Sequence, residues 1–145
     1  MAEHRPRFVG IYEHGLDEKG RMVLPAKIRA QLGETGMLGK LDGCLGLWTL
    51  EGFDAQADKL EELVAEGKAS SGALRQFIAH AAEITPDQQG RIVIPGRLRE
   101  YAGLGPEVVI TGRMQRAEIW DATRWADMSD DNDADLSRAW SENAL

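Results

Sequence analysis

The residues best suited to bind another molecule occur in a pattern that the chain contains twice. The pattern is Asp-x-x-Gly-Arg followed by proline four residues later, and it occupies residues 17–25 and 87–95. Aligning 17–33 with 87–103 gives seven identities in 17 positions. An arginine guanidinium is a planar group with five donors, suited to guanine edges and phosphates. The repeat therefore predicts two similar cationic loops built from one supersecondary unit used twice.

The candidate DNA-binding residues are the bases in and behind these two loops, with one base from the N-terminal segment. Arg21 and Arg91 lead because each follows a glycine at the start of a predicted strand. The other candidates are Lys19, Lys27, Arg29, Arg97, Arg99 and Arg7. Arg29 and Arg99 are equally suited to intramolecular ion pairs and to ligand contacts, so both interpretations stay open.

Four further residues are predicted to shape the loops. Asp17 and Asp87 can cap the turns through the backbone or pair with the arginine four residues later. Gly20 and Gly90 permit positive φ and allow another backbone segment to approach closely. An arginine that follows a turn is ordinarily a solvated surface residue. Because this arginine occurs at the same position of both motifs, together with the same aspartate, glycine and proline, we favour a shared function.

The sequence offers no catalytic, metal or cofactor site. Cys44 is the only cysteine, so no disulfide framework exists and a reducing compartment is expected. His4, His14 and His80 lack the spacing of metal ligands. We predict a protein that is not an enzyme and has no cofactor, small-molecule substrate or membrane partner. Its expected location is the cytoplasm, because no apolar run approaches the roughly 18 residues of a membrane span.

Net charge alone does not exclude nucleic acid. The chain carries −7 overall, but residues 51–66 and 127–145 each contribute −5, which leaves +3 elsewhere. Charge patches act over about a Debye length of roughly 8–10 Å, so an acidic protein can still present a basic face.

Hydrophobic periodicity and turn residues predict the same order of elements in each half. The expected elements are strand 8–12, strand 22–24, helix 25–32, hairpin 37–41 and 44–49, helices 53–66 and 73–82, then strand 81–85, strand 91–94, helix 95–102, strands 107–111 and 116–121, and a helix from 122. The expected domains are a mobile basic arm 1–7, a first repeat 11–52, connecting helices 53–80, a second repeat 81–124 and a weakly patterned acidic tail 127–145. Each half has too few residues for an independent core, so we expect one shared core.

The tandem Asp-x-x-Gly-Arg motif, the Phe8-Val9-Gly10 opening and the strand-ending Trp48 and Trp120 resemble the MraZ family over residues 8–128. That family is a duplicated relative of AbrB/SpoVT-type swapped-hairpin DNA-binding domains. The resemblance implies a mainly β protein with short helices (α+β), in which two tandem repeats share the core of one double-split β-barrel. It further implies a ring-like homo-oligomer, associated with the nucleoid, that regulates the division and cell-wall gene cluster. Such a ring would bind direct repeats in promoter DNA through its arginine loops, first Arg21 and then Arg91.

One feature of the sequence makes the two loops unlike each other, and another favours a different function. The second loop has Gln88-Gln89 where the first has Glu18-Lys19, so the two loop tips cannot read DNA identically. The acidic segments 53–66 and 127–145 suit an alternative, an antitoxin-like module that binds a basic protein without binding DNA. Whether the regulator represses or activates is left open by the sequence.

Overall fold

A computed structural model describes residues 5–143. The first half contains β1 (Ile11–Gly15), β2 (Arg21–Val23), α1 (Ala26–Leu32), β3 (Gly36–Lys40), β4 (Leu45–Thr49) and α2 (Leu50–Ala65). After α3 (Ser71–Ala79), the second half contains β5 (Ala82–Ile84), β6 (Arg91–Val93), α4 (Gly96–Ala102), β7 (Glu107–Gly112), β8 (Ala117–Asp121) and α5 (Ala122–Asn143). Pro25 and Pro95 directly precede α1 and α4. Their fixed φ suits the start of a helix.

The two halves exchange strands. A six-stranded antiparallel sheet has the order β1-β7-β8-β4-β3-β5, so the first strand of each half pairs with the hairpin of the other half. Pairing of β4 with β8 joins the two hairpins, with Leu45 opposite Ile119. The remaining strands, β2 and β6, form a separate two-stranded sheet. This arrangement confirms the predicted α+β fold with swapped hairpins.

One core is shared by both halves. Met22, Leu24, Ile92 and Ile94, from the segments of the repeated motif, are all buried in a single apolar cluster. The helices α1 and α4 add Ile28 and Leu98, and the hairpins add Leu38, Leu45, Leu47, Val108, Ile110 and Ile119. Burial of apolar surface is the main favourable term in folding, and here neither half could bury its own part alone.

A second, smaller cluster holds the connecting helices on the sheet. Trp48 packs edge-on against Phe53 of α2 and Phe77 of α3, with ring centroids 5.7 and 5.6 Å apart. The Thr49 side chain accepts a hydrogen bond from the Gly52 N–H at 2.9 Å and caps α2. This cap explains why the helix begins at residue 50, three residues before the predicted start.

At the N-terminus, residues 1–4 of the predicted mobile arm lie outside the described residues, and Phe8, which follows the arm, is buried and bridges to Met114. The C-terminal end differs from the sequence-based expectation. The acidic segment after residue 127 was predicted to be weakly patterned, but α5 continues through it to residue 143. The helix continues through this segment because no glycine or proline lies between 122 and 143 to interrupt it.

Within residues 5–143, no helix combines the length and apolar character needed to cross a bilayer.

We predict that Phe77→Ala lowers the free energy of unfolding by about 3–5 kcal/mol, because it opens a cavity beside Trp48 and Phe53. Urea unfolding at one fixed protein concentration measures this change. Gln76→Ala, an exposed neighbour on α3, is the control and should change stability by less than about 0.5 kcal/mol. Equal effects of the two substitutions would contradict the packing role of this cluster.

Candidate nucleic-acid interface

The two repeated motifs meet in one small surface, the β2–β6 ribbon. Met22 lies directly opposite Ile92, and both side chains are buried, so the ribbon has a local pseudo-two-fold axis between them. Side chains alternate across a strand. The outward face therefore carries Arg21, Val23, Arg91 and Val93.

Reciprocal backbone hydrogen bonds lock the ends of the ribbon to the opposite loops. The Leu24 N–H donates to the Gly90 carbonyl at 2.9 Å. Across the pseudo-two-fold axis, the Ile94 N–H donates to the Gly20 carbonyl at 2.8 Å. Each loop is thus held by the strand end of the other repeat, and the two loops form one structural unit.

Arg29 and Arg99 lie behind these loops and bond to backbone carbonyls. Arg29 Nη1 donates to the Leu24 carbonyl at 2.8 Å, and Arg99 Nε donates to the Ile94 carbonyl at 3.0 Å. Arg99 Nη1 also reaches the Glu18 carbonyl in the opposite loop at 3.5 Å. These contacts are intramolecular hydrogen bonds to carbonyls, and they place both guanidinium groups within the loop framework.

Glycine is required in each loop for conformation and for space. Gly20 has φ +79° and Gly90 has φ +78°, in the region that side chains disfavour. A Cβ atom on Gly20 would lie 2.6 Å from the Ile94 carbonyl oxygen and 2.8 Å from Arg99 Nε. A Cβ atom on Gly90 would collide with the Arg29 guanidinium. The glycines therefore permit the close crossing of the two repeats.

Asp17 shapes the first loop and orients its arginine. Its Oδ1 accepts hydrogen bonds from the backbone N–H groups of Lys19 at 2.9 Å and Arg21 at 2.8 Å. Its Oδ2 accepts from Arg21 Nε at 2.7 Å. The backbone and side-chain hydrogen bonds from Arg21 lower the pKa of the Asp17 carboxyl group. The carboxylate is therefore held ionised and acts as a fixed acceptor.

Asp87 does the same in the second loop. Its Oδ1 accepts from the N–H groups of Gln89 and Arg91, and its Oδ2 accepts from Arg91 Nε, all at 2.9 Å. The backbone hydrogen bond from Arg91 is the largest cause of its lowered pKa. The side chains of Arg21 and Arg91 remain 43% and 42% exposed. Within residues 5–143, their terminal Nη groups have no hydrogen-bond partner, so they are available to a ligand.

The remaining candidate bases occupy different places. Lys19 is exposed in the first loop, and Lys27 and Arg97 are exposed in the first turns of α1 and α4. Arg7 is exposed near the end of α1, where its backbone N–H donates to Gln31 Oε1 at 2.9 Å.

Sequence reasoning missed Val23 and Val93 as part of this surface. They are 41% and 56% exposed and face the same side as the arginines. The signal was present in the sequence, because residues two apart on a strand share a face.

Outside the ribbon, the described residues were compared with the requirements of a metal site and of a reactive thiol. Across residues 5–143, no group of three or more histidine, cysteine, aspartate or glutamate side chains is placed to hold a metal ion. Cys44 is buried, and this burial raises its pKa to about 12, so the thiol is unreactive. A surface depression of about 710 Å³ lies between α2 and the β7–β8 turn. Arg116, which pairs with Glu118 at 2.8 Å, lines this depression, and the β2–β6 ribbon does not contribute to it.

Comparison of the sequence with known proteins assigns the chain to a family. The family described as "MraZ protein, putative antitoxin-like" matches residues 8–76 and 77–145, one match for each repeat. The chain belongs to the MraZ family. The resemblance noted from the tandem motif is thereby confirmed.

Several relatives named "Transcriptional regulator MraZ" match most of the chain. The Acetivibrio thermocellus protein is 45% identical over 125 residues, covering 86% of this chain and 87% of the relative. The Caldicellulosiruptor bescii protein is 44% identical over 126 residues, covering 86% and 88%. The Kocuria rhizophila protein is 38% identical over 136 residues, covering 93% and 95%.

We predict that Gly20→Ala destabilises the protein more than Gly103→Ala does. Gly103 also has positive φ, +62°, but a Cβ atom there would meet nothing within 4 Å. Gly103→Ala should therefore cost only the strain of the left-handed region, about 1–2 kcal/mol. Gly20→Ala adds the collision with the Ile94 carbonyl, worth about 1–3 kcal/mol more. Thermal and urea unfolding measure the difference, and equal losses would contradict the close crossing.

We predict that the two loop aspartates steepen acid unfolding. Because their pKa values are lowered from 3.8 in the folded state, the unfolded state binds more protons at acidic pH. Their stabilisation is present above pH 3.8 and is lost as the pH falls through the lowered values. Asp17→Asn and Asp87→Asn should each flatten the dependence of unfolding free energy on pH below about 4. Asp130→Asn, on the exposed part of α5, is the control, and an unchanged slope in the loop variants would refute the assignment.

Proposed function

We propose that this protein is a transcriptional regulator that binds double-stranded promoter DNA through the β2–β6 ribbon. The observation that supports this most directly is the pair of arginines on one outward face, each held by an aspartate through Nε. The names of the MraZ relatives point in the same direction. No catalytic chemistry, cofactor, small-molecule substrate or membrane contact is part of the proposal.

The ribbon has the form and chemistry of a major-groove reader. The major groove of B-DNA admits a two-stranded β-ribbon, and arginine paired with guanine O6 and N7 is the commonest specific contact there. Asp17 and Asp87 hold the Nε edge of each guanidinium, which leaves the Nη edge for the base. Orientation before binding reduces the rotamer entropy lost on complex formation. Arg21 and Arg91 are therefore proposed to contact base edges.

The surrounding bases suit phosphate contacts. Lys19, Lys27 and Arg97 are exposed in the loop and helix starts next to the ribbon, and Arg7 is the further candidate from the N-terminal segment. Backbone contacts fix the position of a protein on DNA without reading sequence. Arg29 and Arg99 are assigned to the loop framework instead, because Arg29 Nη1 and Arg99 Nε already donate to backbone carbonyls behind the loops.

A ring-like homo-oligomer would give the affinity that one ribbon lacks. A good bidentate base contact contributes only about 1–3 kcal/mol of discrimination. Identical subunits that bind successive direct repeats add avidity when their spacing matches that of the sites. By its family resemblance, the regulated promoter would belong to the division and cell-wall gene cluster, and the protein would lie at the nucleoid. Occupied repeats that overlap the promoter would block transcription, including that of its own gene.

The second candidate function is an acidic protein-interaction module that resembles an antitoxin. The observation that favours it lies in α5, where Leu136 and Trp140 are 53% and 51% exposed among acidic residues. Such a helix face suits a basic partner with an apolar groove. Deletion of residues 127–145 separates the two functions, because it should abolish partner capture but leave promoter binding intact or stronger.

We predict that Arg21→Ala weakens binding to DNA from upstream of the protein's own gene by about 5- to 150-fold, the equivalent of 1–3 kcal/mol. Arg91→Ala should act in the same direction. Fluorescence anisotropy over a salt series, with scrambled DNA of the same composition beside it, measures both affinity and specificity. Wild-type affinity should fall steeply with salt because bound arginine and lysine release counterions.

Arg113→Ala is the matched control for this experiment. Arg113 is also exposed, but it lies on the β7–β8 turn, at the opposite end of β7 from the loops. Arg113→Ala removes the same charge as Arg21→Ala, and it should reduce the affinity for promoter DNA far less. Equal losses, or a wild type that does not distinguish its promoter from scrambled DNA at low salt, would contradict the proposed function.

A further inference from the structure

Two exposed valines on the outward face of the β2–β6 ribbon, Val23 and Val93, lie outside both apolar clusters of the described chain. Val23 is 41% exposed and Val93 is 56% exposed, although both belong to strands. The central residue of each strand, Met22 or Ile92, faces the core and belongs to its apolar cluster. Apolar side chains in the centre of a charged binding surface call for a ligand with apolar groups.

The register pairs each valine with an arginine of the other repeat. Val93 lies directly opposite Arg21. Val23 lies directly opposite Arg91. Side chains opposite each other in an antiparallel pair have Cβ atoms about 4.5–5.5 Å apart, and diagonal neighbours are about 7–8 Å apart. The outward face is therefore a compact square, with arginines on one diagonal and valines on the other.

This square matches the spacing of base edges in the major groove. Successive bases on one strand are separated by about 3.4 Å, so a valine opposite an arginine lies within about two base steps of the base that the arginine contacts. Thymine is the one base that presents an apolar group there, its C5-methyl. Valine is stiff at χ1, so its methyl groups keep a defined direction.

We propose that Val23 and Val93 are specificity-determining residues that read thymine C5-methyl groups next to the guanines contacted by Arg91 and Arg21. This inference rests on the proposed DNA-binding function and adds the base that accompanies guanine in each half of the site. The ribbon then requires, on each side of its pseudo-two-fold axis, a guanine with a thymine within two base steps. Val93 is the more exposed of the two valines and should make the larger contribution.

Replacement of thymine by deoxyuridine tests the proposal, because it removes only the methyl group. The probe is the promoter fragment from upstream of the protein's own gene, with each thymine replaced in turn. At a contacted position, wild-type affinity should fall about three- to fivefold, the effect of one buried methyl group. With Val93→Ala or Val23→Ala, the thymine-to-uracil ratio at that position should fall towards 1, since the methyl group has lost its partner.

Val9→Ala is the matched control, because Val9 is 58% exposed and lies outside the ribbon. It should retain the full thymine-to-uracil ratio. Arg21→Ala should lower overall affinity while leaving a measurable ratio, which separates the arginine contact from the methyl contact. Specific binding that is insensitive to every uracil substitution, or a ratio unchanged in both valine variants, would overturn the valine proposal alone. Absence of specific binding would overturn it together with the proposed function.

Discussion

The close crossing of the two loops is the constraint on which the β2–β6 ribbon and the shared core both depend. Gly20 and Gly90 leave room for the backbone and arginine of the opposite repeat, and their carbonyls accept hydrogen bonds from the opposite strand ends. The ribbon that results is only three residues long on each strand. An isolated two-stranded sheet of this kind has marginal stability. The ribbon is held in place by the buried side chains of Met22 and Ile92 and by the hydrogen bonds between each loop and the strand end of the other repeat.

The ribbon is anchored to the shared core through Met22 and Ile92, so the two arginines cannot move apart without disrupting that core. Tandem duplication within one chain also frees the two halves to differ. Glu18-Lys19 and Gln88-Gln89 give unlike loop tips on a backbone that is otherwise nearly symmetric. The proposed DNA-binding surface is therefore pseudo-symmetric in geometry but has charged side chains at one loop tip and neutral amides at the other, which suits a site whose two halves are not identical.

Much of the fold was predictable because its signals are local. The repeated motif, the prolines before α1 and α4, and the Asp-Gly turn between β3 and β4 predict elements close to those observed. The pairing of β1 with β7 has no local signal, since it joins residues about a hundred positions apart, and it was reached only through the family resemblance. Spacing could not choose between ligand contact and internal hydrogen bonding for Arg29, because that choice depends on the direction in which the turn before α1 points the Leu24 carbonyl. The exposure of Val23 could be read only from its alternation with Met22, because a short apolar strand is otherwise typical of a buried core strand.

The most direct test of the β2–β6 ribbon as the DNA-binding site is a structure of the protein bound to the promoter fragment from upstream of its own gene, by crystallography or cryo-electron microscopy. We expect the β2–β6 ribbon of a bound subunit to lie in one major groove. In that groove, the Nη groups of Arg21 and Arg91 should lie within hydrogen-bond distance of guanine O6 or N7, while Asp17 and Asp87 keep their Nε contacts. A complex in which the ribbon faces solvent or another subunit, and DNA contacts a different surface, would contradict the assignment of this ribbon as the DNA-binding site.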